Sequence, residues 1–254
     1  MSVPKNPVVL IPARLESTRF PGKPLADFGG EPMIVHVWRR AVEAGVGPVV
    51  VACAEPEIAE AVRSAGGEAV LTRPDHPSGS DRIFEALESI DQDARFDAVV
   101  NVQCDQPTLR PALPRAALGL LDDPEVDIGT LACEIADEAE RTDPNVVKAV
   151  VSRAAGESRG RALYFSRAPV PFGDGPLFHH SGLYAYRRCA LERFVALPPS
   201  PLEQRERLEQ LRALEAGMRI DVACVDGPLI DVNTPDDLAR ALELEGAERE
   251  SQLR

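Results

Sequence analysis

The first half of the chain alternates short apolar runs with segments whose apolar residues recur at helical spacing. Residues 8–11 form an uninterrupted apolar run that stops at Pro12, which is typical of a buried parallel strand. Residues 33–44 follow a helical spacing and end at Gly45, a common signal for the end of a helix. The same pattern predicts strands at 48–52, 68–71 and 98–102 and helices at 56–65 and 81–89. This alternation predicts an α/β fold with a doubly wound, mostly parallel sheet.

After about residue 128 the pattern changes to strands separated by turn-rich segments. Strands are predicted at 129–132, 145–151, 182–186 and 220–225, and turn-rich segments at 156–161, 169–176 and 198–201. Residues 202–215 are predicted to form one amphipathic helix. A second helix is predicted at 234–250, because Thr234 and Pro235 are typical of a helix start. The absence of repeats and low-complexity linkers predicts a single domain with an embedded smaller lobe.

Composition and charge narrow the possible partners. The 254 residues include 41 acidic and 28 basic side chains, so the net charge is −13. This balance argues against nucleic acid and anionic membranes as partners, since both attract basic surfaces. The first residues lack the pattern of a signal peptide, and the five cysteines show no CxxC spacing. We therefore expect a soluble cytoplasmic protein without a disulfide framework.

A basic loop follows the first predicted strand. Between residues 12 and 25 the cations Arg14, Arg19 and Lys23 accompany a single anion, Glu16. Open α/β sheets bind ligands at the carboxyl ends of their strands, so this loop is a candidate phosphate site. An ordinary basic surface loop is the alternative. The loop matches neither GxGxxG nor GxxxxGK[ST], which removes the main support for a dinucleotide-dependent oxidoreductase or a P-loop protein.

The loop also carries a family resemblance. Its sequence from 11 to 25, IPARLESTRFPGKPL, resembles the signature of the sugar nucleotidyltransferases, and further motifs resemble the 3-deoxy-manno-octulosonate cytidylyltransferase (CMP-KDO synthetase) family. In the family's order these are PMIVHV at 32–37, TRPDHPSGSDR at 72–82, VNVQCD at 100–105, PNVVK at 144–148, ALYFSR at 162–167, HSGLYAYR at 180–187, PSPLE at 199–203, LEQLR at 208–212 and DVNTPDDL at 231–238. The match runs from about residue 8 to 242, and YFSR, PSPLE and LEQLR are its specific motifs.

The resemblance implies a reaction and a domain plan. CTP and 3-deoxy-manno-octulosonate (KDO) would give CMP-KDO and pyrophosphate with Mg²⁺, for lipopolysaccharide biosynthesis. The anomeric hydroxyl of the sugar would attack the α-phosphorus. Residues 8–128 would form the CTP-binding half, 129–230 a lobe for sugar binding and dimerisation, and 231–254 a C-terminal helix returning to the core. The resemblance also implies a homodimer, with 168–177 as a candidate contact arm.

The resemblance implies roles for individual residues. Those implied in catalysis are Arg14, Lys23 and Asp105. Those implied in nucleotide binding are Pro12, Ala13, Arg14, Lys23, Arg73, Ser78, Gly79, Arg82 and Gln103. Those implied in sugar binding are Gln103, Arg167, His180, Tyr184, Glu209 and Gln210, and those implied as metal ligands are Asp105, Asn233 and Asp231. Structural roles stay open as alternatives for Arg19, His76, Glu209 and Gln210.

Three departures from the family pattern cluster at the implied metal site. The usual GDEP reads Cys104-Asp105-Gln106-Pro107, and the usual aspartate before Thr-Pro is Asn233. Asparagine keeps a carbonyl oxygen but loses a negative charge, and Asp231 could supply the second carboxylate instead. Two alternative functions remain open. One is CTP-dependent activation of another acidic sugar, and the other is a catalytically weakened paralogue with a binding or regulatory role.

Overall fold

The structure is a computed structural model that describes residues 2–16, 19–227 and 231–252. Ser17 and Thr18 of the basic loop lie outside the described residues. The chain divides into two compact units. The N-terminal unit comprises Val8–Arg95, Asn101–Ala112 and Leu229–Arg254. The central unit comprises Met1–Pro7, Phe96–Val100 and Leu113–Pro228.

Strands and helices are distributed along the whole described chain. The strands are β1 (Pro7–Ala13), β2 (Val49–Cys53), β3 (Glu68–Leu71), β4 (Ala98–Asn101), β5 (Ile128–Glu134), β6 (Lys148–Ser152), β7 (Arg159–Ser166), β8 (Phe178–Arg187) and β9 (Ile220–Cys224). The helices are α1 (Met33–Glu43), α2 (Pro56–Ser64), α3 (Gly79–Ile90), α4 (Ala112–Leu118), α5 (Glu138–Thr142), α6 (Arg188–Val195), α7 (Pro201–Glu206), α8 (Gln210–Glu215) and α9 (Pro235–Gln252). Single 3-10 turns occur at Lys23–Leu25 and Gly119–Asp122.

In the N-terminal unit the predicted parallel strands are confirmed. Strands β3, β2 and β1 pair in that order, and both pairings are parallel. Every residue of β2 is buried, as expected for a strand covered on both faces. Val102 N donates to Leu10 O at 3.1 Å, so the residues after Val102 emerge beside the carboxyl end of β1. This edge carries the candidate phosphate loop.

In the central unit most pairings are antiparallel. The order of its strands is β4-β8-β5-β9-β7-β6, and β5 and β9 are parallel. The pairs β5–β8, β6–β7, β6–β8 and β7–β9 are antiparallel. A short connection joins β6 to β7, and a connection of that length permits only an antiparallel pair. The turn predicted at 156–161 is partly wrong, because residues 159–161 already belong to β7.

The single helix predicted at 202–215 is also wrong, because the structure breaks it into α7 and α8. Ser200 and Glu203 form a capping box at the start of α7. Arg207 then adopts a left-handed conformation with φ of 56°, which ends the helix. Arg212 donates to Glu203 at 2.8 and 2.6 Å and holds α8 against α7. The apolar spacing continues through the break, so the pattern alone could not show it.

The predicted C-terminal helix is confirmed as α9, which begins after Thr234. Asp237 N donates to Thr234 Oγ1 at 3.2 Å, and Thr234 N donates to Asp237 Oδ2 at 2.9 Å. These reciprocal bonds satisfy backbone groups at the helix start. Across the part of the chain that the structure describes, every helix is too short or too polar to cross a membrane.

Candidate active site

The basic loop is closed on itself beyond the end of β1. Gly22 N donates to Leu15 O at 3.1 Å, and Leu15 N donates to Glu55 Oε1 at 3.0 Å. Gly22 has a φ of 72°, a left-handed conformation that glycine adopts without steric cost. Arg14 is exposed directly after the strand. Arg14 therefore lies at the start of the loop, and Lys23 lies near its end, directly after Gly22.

Lys23 is the point where three distant segments meet. Its Nζ donates to Asp105 Oδ2 at 2.7 Å and to Val232 O at 2.9 Å. Val232 N in turn donates to Asp105 O at 2.8 Å. The exposed fractions of the two side chains are 12% for Lys23 and 23% for Asp105, so both are partly withdrawn from water. The structure thus brings the implied phosphate cation and the implied metal carboxylate into one ion pair.

Asp231 joins this cluster through Gln106, whose Nε2 donates to Asp231 Oδ1 at 2.9 Å. Burial of Asp231, followed by the negative charge of Asp105, raises the pKa of its carboxyl group. The Gln106 hydrogen bond and the Lys23 charge act in the opposite direction. A glutamate at position 106 would add a third carboxylate beside Asp105 and Asp231 and would repel both. Gln106 avoids this repulsion and donates a hydrogen bond to Asp231 instead.

Cys104 and Asn233, the other departures, flank the same cluster. Burial, followed by the charge of Asp105, raises the pKa of Cys104 to about 12, so its thiol stays protonated at neutral pH. Asn233 Oδ1 accepts a hydrogen bond from Arg19 Nη2 at 2.9 Å. Asn233 N donates to Asp237 Oδ2 at 3.0 Å, which fixes the position of the residue at the start of α9.

The donor atoms of this cluster suit Mg²⁺. The described residues hold no group of three or more histidine, cysteine, aspartate or glutamate side chains that could bind a metal. Mg²⁺ does not require such a cage, since it takes hard oxygen ligands and usually keeps several waters or phosphate oxygens. The carboxylates of Asp105 and Asp231, with the amide oxygen of Asn233, fit that preference.

A second loop, residues 72–78, leads to the start of α3, which packs on Pro12 of the basic loop. We call it the base loop, after the base contacts that the resemblance implies. Ser78 caps α3, because Asp81 N donates to its Oγ at 3.2 Å, and Ser78 Oγ donates to Asp81 Oδ2 at 2.6 Å. A Cβ atom at Gly79 would lie 3.3 Å from Pro12 Cγ. Glycine therefore lets the start of α3 pack closely on the end of β1.

The buried side chain of Arg82 supports the base loop through hydrogen bonds. Its Nη1 donates to Thr72 Oγ1 at 2.6 Å and to Arg73 O at 3.0 Å. Its Nη2 donates to Pro74 O at 3.4 Å. Both terminal nitrogens of the Arg82 guanidinium therefore donate to oxygens of the base loop. The implied contact between Arg82 and a base stays a prediction. Gln103, beyond β4, donates through Nε2 to Asn101 Oδ1 at 3.2 Å.

In the central unit, Arg167 is surrounded by backbone oxygens. Its Nε donates to Glu206 O at 2.8 Å, its Nη1 to Pro144 O at 2.8 Å and its Nη2 to Arg207 O at 3.4 Å. Arg167 N also donates to Glu206 Oε2 at 3.0 Å. The guanidinium therefore ties the turn before β6 to the end of α7, and its implied pairing with a sugar carboxylate stays a prediction.

His180 and Tyr184 lie together on β8. Their ring centroids are 5.5 Å apart. His180 Nε2 is 3.0 Å from Thr130 Oγ1, whose hydroxyl donates to Leu183 O at 2.9 Å. Because that hydroxyl hydrogen is used, Thr130 accepts from Nε2 and leaves Nδ1 as an acceptor. Burial, followed by the charge of His179, lowers the pKa of His180 to about 3, so the ring is neutral.

Of the implied sugar residues that remain, Glu209 interacts electrostatically with Tyr184. Burial raises the pKa of Tyr184 well above its usual value, and the charges of Tyr186 and Glu209 add to the effect. Glu209 therefore lies within electrostatic reach of Tyr184. Gln210 is buried as the first residue of α8. The structure thus groups His180, Tyr184 and Glu209 in the central unit.

Sequence reasoning missed three supporting residues. Glu85 binds the base loop, Thr130 orients His180, and Glu206 accepts from Ser166 Oγ at 2.9 Å as well as from Arg167. Only Glu85 carries a sequence signal, because it lies three residues after Arg82 and so on the same face of a helix. The other two act across distant segments.

Comparisons with known proteins agree with the family resemblance. A family model described as "Cytidylyltransferase" matches residues 8–220. The chain is 62% identical over 239 residues to a 3-deoxy-manno-octulosonate cytidylyltransferase of Paramagnetospirillum magneticum, covering 94% of this chain and 97% of the relative. It is 66% identical over 237 residues to that of Azorhizobium caulinodans, covering 93% and 94%. A solved CMP:2-keto-3-deoxy-manno-octonic acid synthetase complexed with CTP aligns with a TM-score of 0.86 and 40% identity, covering 96% of this chain and 100% of the other.

Proposed function

The chain belongs to the 3-deoxy-manno-octulosonate cytidylyltransferase family, and from this premise we propose how its residues carry out the reaction. The protein transfers the cytidylyl group of CTP to KDO, forming CMP-KDO and pyrophosphate. It has the nucleotidyltransferase-like α/β fold. In the finer plan, residues 8–128 form a doubly wound CTP-binding half and 129–230 an embedded lobe. Residues 231–254 return to the N-terminal half, which is supported by their membership of the N-terminal unit.

In our proposal, Lys23 and Arg14 hold the triphosphate. The contact of Lys23 Nζ with Asp105 Oδ2 and Val232 O carries this assignment, because it places a cation from the basic loop beside the implied metal carboxylate. The anomeric hydroxyl of KDO attacks the α-phosphorus, and the bond to the leaving pyrophosphate breaks. Charge grows on the departing oxygens, so nearby cations lower the barrier. Pro12, Ala13, Arg73 and Gln103 complete the nucleotide contacts.

Asp105 and Asp231 hold Mg²⁺, with Asn233 as a weaker oxygen donor. When bound, Mg²⁺ neutralises phosphate charge and helps to orient the reacting groups. Asp231 is favoured over Asn233 because it retains a carboxylate and lies within electrostatic reach of Asp105. The amide oxygen of Asn233 accepts from Arg19, which reduces its availability to a metal.

The base and the sugar acid are recognised in different units. Ser78 and Gly79 face cytosine at the start of α3, and Arg82 supports the loop that carries them. In the central unit Arg167 recognises the KDO carboxylate, and His180, Tyr184, Glu209 and Gln210 bind its hydroxyls. The neutral His180 ring, with Nδ1 as an acceptor, suits a hydroxyl donor.

We also infer the setting of the reaction. The protein works in the cytoplasm as a homodimer, and its product feeds lipopolysaccharide biosynthesis. The arm at 168–177 supports the homodimer, because the side chain of Phe172 is fully exposed there. An exposed aromatic ring of this size is a common anchor in protein interfaces.

Pyrophosphate release tests the proposal directly. We expect rapid release with CTP, Mg²⁺ and KDO, and slow release when another sugar acid replaces KDO or when UTP replaces CTP. Faster release with a different sugar acid would support the alternative substrate. CTP binding without release for any sugar acid would support the weakened paralogue, and failure to bind CTP would contradict both enzymatic functions.

Restoring a carboxylate at position 233 is expected to strengthen metal binding. In Asn233→Asp the added charge should lower the Mg²⁺ concentration for half-maximal activity about tenfold, since a divalent ion and a unit charge 4 Å apart attract by about 2 kcal/mol in water and Arg19 offsets part of this attraction. A magnesium titration of initial rates measures this shift. Gln92→Glu adds the same charge at an exposed position of the N-terminal unit and should leave the titration unchanged. An unchanged titration in Asn233→Asp would argue against a direct role for this position.

A further inference from the structure

Helix α3 presents two charged side chains, one turn apart, to the base loop. Arg82 donates to loop oxygens, as described above. Glu85 accepts from the loop: Arg73 N donates to its Oε1 at 3.2 Å, and His76 Nε2 is hydrogen-bonded to its Oε2. The Arg73 guanidinium also lies near this carboxylate, with Nε 3.5 Å from Oε2. The base loop is thus held by a cation, Arg82, and an anion, Glu85, from the same helix.

We propose that Glu85 is a positioning residue for recognition of the nucleotide base, because it fixes the backbone of Arg73 and the ring of His76 and so sets the shape of the base loop. The proposal rests on the proposed function, in which this loop and the start of α3 face cytosine. Glu85 itself does not touch the base in this assignment. It acts through the loop that it holds.

The ends of the base loop are fixed independently of Glu85. At one end, Thr72 N donates to Cys53 O at 2.9 Å, which continues the pairing with β2. At the other end, Ser78 caps α3 and Gly79 packs on Pro12. The contacts of Glu85 are confined to Arg73 and His76, in the middle of the loop. Removing Glu85 should therefore loosen the loop without breaking the fold around it.

The state of the Glu85 carboxyl group supports this role. Burial raises its pKa, but the hydrogen bonds from His76 and from Arg73 N outweigh burial and bring the pKa below its ordinary value. Glu85 is therefore ionised at neutral pH and accepts these bonds as a carboxylate. Hydrogen bonds to an ionised acceptor are roughly twice as strong as those between neutral groups. His76, which is buried, is the side chain most directly held by this charge.

A loosened loop must be ordered again whenever the nucleotide binds. That ordering costs binding free energy but leaves the reacting groups unchanged once the nucleotide is seated. Glu85→Ala should therefore raise the KM for CTP about tenfold, with kcat within about twofold of the wild type. The KM for KDO should not change. The preference for CTP over UTP should fall, because a loosened loop distinguishes the two bases less well.

Steady-state kinetics with CTP, UTP and KDO test the proposal, together with thermal melting of each variant. Glu88→Ala is the matched control, since Glu88 is exposed on the same helix. Glu85→Gln should lie between Glu85→Ala and the wild type, because its amide oxygen can still accept from Arg73 N. A lowered melting temperature with unchanged KM and unchanged base preference would overturn the proposal. If Glu85→Ala does not fold, the same comparison is decided with Glu85→Gln and His76→Gln.

The wild-type control separates this proposal from the proposed function. A wild type that does not prefer CTP over UTP would contradict base recognition itself. A wild type that prefers CTP, together with unaltered kinetics in both Glu85 variants, would overturn only the role of Glu85.

Discussion

Replacing Lys23 with alanine is expected to lower kcat/KM for CTP about a thousandfold, the effect of removing one well-placed transition-state donor. Lys23 donates to Asp105 Oδ2 at 2.7 Å and to Val232 O at 2.9 Å, so its ammonium group is held at the implied phosphate site before any nucleotide binds. Alanine removes a charge that would bind the triphosphate and stabilise the leaving pyrophosphate. It also removes the cation that is paired with Asp105.

Pyrophosphate release over a range of CTP concentrations measures this loss. Lys5→Ala removes an exposed lysine side chain from the central unit and should keep full activity. Lys23→Arg retains the charge but has a larger, planar head group, so we expect partial recovery. Activity of Lys23→Ala within about tenfold of the wild type would be inconsistent with a phosphate role for Lys23, given the usual effect of such a donor.

Replacing Asp105 with asparagine is expected to reduce kcat about a thousandfold or more at any Mg²⁺ concentration, which is the scale of losing a group that stabilises transition-state charge. The amide oxygen can still accept from Lys23, so the change removes charge while keeping shape. Asp231→Asn should cost less, because Asp105 is the carboxylate that pairs directly with Lys23, whereas Asp231 joins the cluster through Gln106. The difference between the two variants ranks the two carboxylates as metal ligands.

Two measurements separate a metal role from a packing role for Asp105. Rates are measured across a Mg²⁺ titration, and Mn²⁺ binding in the presence of CTP is followed by electron paramagnetic resonance. Asp105→Asn should fold normally and bind CTP, yet show weak Mn²⁺ binding. Asp81→Asn, near the base loop, should retain Mn²⁺ binding and serve as the control. Unchanged Mn²⁺ binding in Asp105→Asn would show that the metal is held elsewhere.

Local patterns were sufficient where one element determines its own structure. The run at 8–11 predicted β1, because a strand buried on both faces needs an apolar residue at every position. The start of α9 followed from Thr234, because a capping side chain and the backbone that it satisfies are only a few residues apart. In both cases the physical cause lies within the segment itself.

Local patterns failed where a distant partner determines the structure. Residues 159–161 are a strand because they pair with β9, more than fifty residues further along the chain. The break between α7 and α8 depends on Arg207 and on the Glu203–Arg212 ion pair, while the apolar spacing runs on through it. The same limit applies to Arg82, whose buried contacts with the base loop no motif could show.

The sequence by itself determined the family and the concentration of cations in the basic loop of an otherwise acidic chain, and it predicted the reacting groups. Only the tertiary structure decided which of these groups meet. Lys23 contacts partners 82 and 209 residues away, and Gln106 contacts Asp231 across 125 residues. Side-chain periodicity shows on which face of a single helix or strand a residue lies. Contacts between residues that are far apart in the sequence depend instead on how strands and loops come together at one edge of a sheet. The departures at 104, 106 and 233 could therefore be noticed in the sequence, but their placement around one pair of carboxylates required the fold.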